Sequence, residues 1–202
     1  MTMLTHLLYL HGFRSSPQSA KARLLAGLLK HRFPEVHGWW PQLPPSPKEA
    51  AQLIEAGTRD WPTGTMAVVG SSLGGFYATW LAEQRSCKAV LINPAVHPAR
   101  DLVQYIGEQT AWHNSAERFF FEPRFIDELR ALEVGPLSEP ERLMAIIATG
   151  DEVLDWREMH ARYAGCHLRI VEGSDHALSD FQAHVPAMLQ FLGLDPTGSP
   201  LH

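Results

Sequence analysis

Cysteine is scarce: two residues in 202, Cys87 and Cys166, far apart and without a CxxC pair. That leaves no disulfide framework and no zinc-ribbon signature, and both read as buried thiols of a reducing compartment. HExxH is absent and the 11 histidines do not cluster, which disfavours metal-dependent hydrolysis. Within that set, His176 and His184 form only a weak ligand pattern. Basic charge is short as well, with 17 Lys and Arg against 22 Asp and Glu and a net charge of -5. Such a balance argues against nucleic acid as the main partner and against a polybasic membrane anchor. No apolar run approaches the roughly 20 residues that span a bilayer. The apolar start, Met1 to Leu10, lacks a basic segment and a small-residue cleavage site and runs straight into His11-Gly12, so it reads as a strand. The expectation is a cytoplasmic protein with no membrane span. What the chain does not lack is apolar residues: 45% are hydrophobic, enough to exclude disorder as the main state.

Short apolar runs at Leu7–Leu10, Met66–Val69, Ala89–Ile92 and Leu143–Ala148 show no alternation, as suits parallel strands covered on both faces. Val36–Trp40 and the alternating His167–Val171 are weaker strand candidates, the second with the pattern of an edge. Helical signals fall between them. Ser46-Pro47-Lys48-Glu49 is a capping box with proline at the first helical position, followed by Ala50, Leu53, Ile54, Gly57 and Trp61. Ser16-Pro17 predicts the opening of another helix, with Ala20, Leu24 and Leu28 on one face. Strand and helix alternate throughout, which predicts one α/β domain over 1–202 with a mainly parallel sheet of about six strands flanked by helices.

The segment of about 97–140 breaks the rhythm. It is long for a βα connection and rich in aromatics, so it predicts a helical insertion before the next strand, with helices from Asp101 and from about Pro123. Trp112, Phe119, Phe120, Phe121 and Phe125 either line a site as a cap or pack on the sheet face; both readings stand. The tail Asp195–Pro200 reads as a frayed end.

Gly70-Ser71-Ser72-Leu73-Gly74 is a GxSxG motif centred on Ser72, lying between an apolar strand and the helical segment Phe76–Glu83. A turn that sharp presents the serine oxygen at the carboxyl edge of the sheet, and small residues two positions away let helix and strand approach. A serine needs a base, and the base an orienting acid. Asp151 follows the strand Leu143–Ala148 and His176 follows the last strand, so serine, acid and histidine occur in the chain order this turn requires. Asp155 is the rival acid; Asp175, next to the histidine, is poorly aimed. The backbone N–H groups of Leu73 and of Phe13, in the glycine-containing loop after the first strand, are the candidate oxyanion donors. His11 and Arg14 either shape the site or brace that loop. With these roles, activity rises with pH as the histidine loses its proton.

The blocks Tyr9–Ser19, Gly70–Trp80, Leu91–Val96, Thr149–Asp155 and Glu172–His176 together resemble the YqiA-type bacterial esterases, small members of the α/β-hydrolase superfamily. The resemblance runs from residue 7 to about 181. It implies a sheet lacking the first two strands of the usual eight, with its six strands in the order 2-1-3-4-5-6. It also implies a serine esterase acting on small-molecule acyl esters, with acyl-CoA thioesters as a further class, and without metal or cofactor. Amide hydrolysis on the same fold, and a non-catalytic binding protein that kept it, stay open as alternatives.

Overall fold

The computed structural model describes residues 3–112, 114 and 116–194. Along them run β1 (His6–Leu10), α1 (Ala20–Arg32), β2 (His37–Trp39), α2 (Pro47–Thr58), β3 (Met66–Ser71), α3 (Leu73–Arg85) and β4 (Lys88–Ile92). Then come α4 (Pro98–Asp101), β5 (Gly107–Thr110), β6 (Arg118–Phe121), α5 (Arg124–Ala131), β7 (Leu143–Ala148), α6 (Trp156–Arg162), β8 (His167–Val171) and α7 (Val185–Leu192). Six strands form one sheet in the order β2-β1-β3-β4-β7-β8, and every pairing in it is parallel. This is the order and orientation expected.

The middle strands lack alternation because helices cover both faces. Leu8, Leu10, Val68, Leu91 and Ile147 point into one core layer with Ile54 of α2, Leu81 of α3 and Leu129 of α5. Their neighbours Leu7, Tyr9, Val69, Val90 and Ile146 point the other way, against Leu25 and Leu29 of α1 and Met188 and Leu189 of α7. Each aliphatic side chain buried this way contributes about 2 kcal/mol of transfer free energy. β8 forms one edge, with Ile170 left 40% exposed, as its alternating sequence suggests.

Two local expectations are corrected. The Ser16-Pro17 signal makes a turn, not a helix: Ser16 accepts hydrogen bonds from Ser19 N–H at its carbonyl and from Gln18 N–H at its hydroxyl. The helix starts at Ala20 and buries Ala22, Leu25 and Leu29, while Ala20 is exposed and Leu24 and Leu28 are half-buried. The segment before β7 is only partly helical. Asp101 ends a single helical turn instead of starting a helix, and an antiparallel hairpin, β5–β6, precedes α5. The helix expected from about Pro123 is α5. It is fastened to the scaffold by Glu128, whose Oε2 accepts from Ser46 Oγ (2.6 Å) and Lys48 N–H (3.1 Å) at the start of α2. The serine half of the expected capping box forms, Ser46 Oγ accepting from Glu49 N–H at 3.2 Å. The tail Asp195–Pro200 lies outside the described residues.

Among the described residues no helix is long and apolar enough to cross a membrane. Cys87 is buried and Cys166 half-buried, both as free thiols, and loss of solvation pushes each up to about 11.

Candidate active site

Between the last residue of β3 and the first of α3 stands Ser72 alone, so one residue must reverse the chain. It does so at φ 56 and ψ -120, a conformation that costs a non-glycine residue on the order of 1–3 kcal/mol and persists only where surroundings hold it. They do. Ser72 N–H donates to Ile92 O at 2.9 Å, and its carbonyl accepts from Gly75 N–H at 2.8 Å and Ala95 N–H at 3.1 Å. Glycine is required on both sides: a Cβ at 70 would meet the Gly74 carbonyl, and one at 74 the Leu10 carbonyl.

The hydroxyl so exposed meets two residues from distant parts of the chain. His176 Nε2 lies 3.0 Å from Ser72 Oγ, and His176 Nδ1 lies 2.7 Å from Asp151 Oδ2. The Asp151 side chain is fully buried, and its Oδ1 accepts from the N–H groups of Val153 and Leu154, each at 2.8 Å. A carboxylate can only accept, so Nδ1 carries the proton and Nε2 turns its lone pair to the serine. The rival acids are engaged elsewhere. Asp155 caps α6 by accepting from Arg157 N–H at 2.9 Å. Asp175 accepts from Ser179 N–H and Oγ, and the hydroxyl bond chiefly holds its carboxyl below the usual range. His184, the other half of the weak ligand pattern, lies between Arg169 and Asp180, away from Ser72. Among the described residues no group of three or more His, Cys, Asp or Glu side chains is placed to hold a metal.

A cavity of about 440 Å³ opens over the serine, lined by Gly12, Phe13, Leu73, Leu102, Tyr105 and Trp112 among others. Among the described residues, the backbone N–H groups of Phe13 and Leu73 donate to no acceptor. His11, in contrast, is a brace. Its Nε2 accepts from Leu43 N–H at 3.0 Å, so Nδ1 bears the proton and donates to Gly12 O at 2.9 Å. Of the five aromatic residues considered for the mouth, Trp112 alone lines the cavity. Phe119 and Phe121 turn inward onto Phe13, with ring centres 5.9 and 5.2 Å away, while Phe120, on the other face of the hairpin, is 56% exposed. Phe125 packs behind Phe121 at 5.4 Å.

A family model of the uncharacterised protein family UPF0227 matches residues 6–193. The chain belongs to that family. UPF0227 is the YqiA family to which the motif blocks pointed. Solved structures similar to this UPF0227 member share its α/β-hydrolase fold. A metagenome-derived lipolytic enzyme from work on LipS and LipT is 19% identical, with a TM-score of 0.70 over 96% of this chain and 95% of that one. Mouse alpha/beta hydrolase domain-containing protein 10 is 14% identical, TM-score 0.69, covering 93% and 90%. The Paleococcus ferrophilus monoacylglycerol lipase is 14% identical, TM-score 0.66, covering 96% and 97%.

Two residues of the UPF0227 site escape a motif reading. Glu152 Oε2 accepts from His176 N–H at 3.0 Å. Asn93, fully buried at the end of β4, donates from Nδ2 to the carbonyls of Asp175 and His176, both at 3.0 Å, and accepts from Ala148 N–H at 2.8 Å. It ties the ends of β4 and β7 to the histidine loop. The available signal is the Asn-Pro pair after a buried strand, since asparagine tolerates the left-handed φ of 42 found here. Asn93→Ala leaves the Ala148 N–H and the His176 carbonyl without this partner, while the Asp175 carbonyl keeps Leu178 N–H, and is expected to cost about 3 kcal/mol. Thermal denaturation reads that cost. Asn93→Gly, which relieves the backbone, should recover only part of it; full recovery would mean that the hydrogen bonds carry no weight.

Proposed function

We propose that the protein is a serine esterase that hydrolyses carboxylic acyl esters, with acyl-CoA thioesters as a further substrate class, through an acyl-enzyme intermediate. The observation that carries this reading is the unbroken hydrogen-bonded line from Asp151 through His176 to Ser72, ending in a cavity. In the proposed reaction Ser72 Oγ attacks the ester carbonyl while His176 Nε2 takes its proton. Asp151 holds the imidazole and stabilises it once charged. The negative oxygen of the tetrahedral intermediate is held by the N–H groups of Phe13 and Leu73, whose freedom from other acceptors suits that task. His176 then passes its proton to the leaving alcohol or thiol, and water, activated the same way, releases the acid. The segment of about 97–140 serves as a partial cap over a single domain, contributing Leu102, Tyr105 and Trp112 as the apolar wall for the acyl chain. The lipolytic enzyme and the lipase among the structural neighbours share the fold and are consistent with ester chemistry.

The test is a fluorophosphonate label followed by an ester panel. Ser72 should be the modified residue. Because each buried methylene is worth about 0.8 kcal/mol, two added acyl carbons should raise kcat/KM by roughly tenfold until the cavity is full. Absence of labelling on folded protein removes the nucleophile; a flat chain-length profile removes the apolar wall and leaves the nucleophile standing.

A further inference from the structure

Apart from His176, the charged side chains lining the cavity are Arg14, Lys21, Asp101 and Glu152. Three of these are engaged. Asp101 accepts from Arg100 Nε at 2.8 Å, Glu152 accepts from His176 N–H, and Lys21 Nζ donates to the Ala177 carbonyl. Arg14 is held differently. Its Nε donates to Thr110 O at 2.7 Å, its guanidinium lies over the Trp112 ring 5.0 Å from the centre, and its own carbonyl accepts from Trp112 N–H at 2.8 Å. Its backbone sits at φ 60, a left-handed conformation unusual for a side chain of this size. These contacts fix the plane of the guanidinium and use only one of its nitrogens. Among the described residues neither terminal amino group has a hydrogen-bond acceptor or a carboxylate within ion-pair distance. The protein therefore accepts a left-handed backbone and a strapped side chain at Arg14, whose fork is left unneutralised in the cavity that Ser72 also lines.

We propose that the cavity takes an ester bearing an oxyanion, carboxylate or phosphate, and that Arg14 grips this group through its two terminal amino groups. The proposal rests on the esterase reading above. A planar fork matches two oxygens of a carboxylate or phosphate at once, and a side chain already immobilised loses little freedom when it does so. Trp112 adds an apolar plate behind the guanidinium, which leaves its edge as the binding face.

The experiment compares matched esters in which methylation of the anion removes the charge. On the acyl side, 4-nitrophenyl hydrogen glutarate is set against its methyl diester. On the alcohol side, the butanoate of 3-hydroxypropyl phosphate is set against its dimethyl phosphotriester. For the wild-type protein kcat/KM should favour the charged member of at least one pair by on the order of tenfold, and the preference should shrink as salt is raised. Arg14→Gln should bring the ratio close to one, and Arg14→Lys should keep part of it. The arm that responds identifies which side of the ester carries the anion. If Arg14→Gln lowers charged and neutral members by the same factor, Arg14 only braces the hairpin and the proposal fails. Turnover of all four esters with charge ratios near one in the wild type overturns it alone. Failure of every ester to react, with Ser72 unlabelled by a fluorophosphonate, overturns the esterase reading and this one together.

Discussion

Ser72→Ala is expected to lower kcat on ester substrates by about a million-fold while the protein stays folded. The hydroxyl is removed and little else changes, since the bonds that hold residue 72 in its turn come from its backbone N–H and carbonyl. His176→Ala should cost as much, and the double variant hardly more, because nucleophile and base act as one unit. Asp151→Asn should cost about ten-thousand-fold: an amide can donate to Nδ1, which favours the wrong tautomer and turns an N–H towards the serine. Single-turnover kinetics on a 4-nitrophenyl ester, with circular dichroism as the folding control, reads all four. Near-full activity in purified Ser72→Ala would remove Ser72 as the nucleophile.

Gly74→Ala should lower both stability and rate, for a different reason. The added carbon would meet the carbonyls of Leu10 and His11, which are backbone atoms in β1 and in the loop after it, with no side chain able to swing aside. Either α3 lifts from the sheet or the β1 loop retreats. Overpacking of this kind costs about 3 kcal/mol. The same displacement separates the amides of Leu73 and Phe13, and an error near 1 Å in such a site is worth on the order of a hundred-fold in rate. A fall in Tm together with a fall in kcat is the expected pair of results. Gly27→Ala is the control, because a Cβ there meets nothing within 4 Å. Unchanged Tm and kcat in Gly74→Ala would mean that the elbow has slack.

The sheet and the Ser72 turn are legible because each is written locally. Buried parallel strands are short unbroken apolar runs, and the elbow is five consecutive residues between one such run and a helix. Asp151 and His176 are legible through topology, since parallel strands deliver both of their loops to one edge. The hairpin is not legible: Gly107–Thr110 reads GEQT, without the β-branched alternation that marks a strand, and it is recognised only by pairing with Arg118–Phe121. The start of α1 is misread because serine followed by proline suits a turn as well as a helix start, and the hydrogen bonds of Ser16 decide for the turn. The role of Asn93 is hidden for a third reason, although its Asn-Pro pair is visible. Its partners, Ala148 at the end of β7 and the Asp175–His176 carbonyls in the loop after β8, are distant in the chain.

Phe13 belongs to two parts of the molecule at once. The residue lines the cavity and its amide is the proposed oxyanion donor, while its ring is in contact with those of Tyr105, Phe119 and Phe121 of the segment before β7. On the proposed function, the segment that contributes the acyl wall would also set where that amide stands. Chain-length preference and turnover would then be geared to each other through a single residue. A substitution at Phe119 or Phe121 of β6, which do not line the cavity themselves, would shift the Phe13 ring and is expected to alter turnover and chain-length preference together.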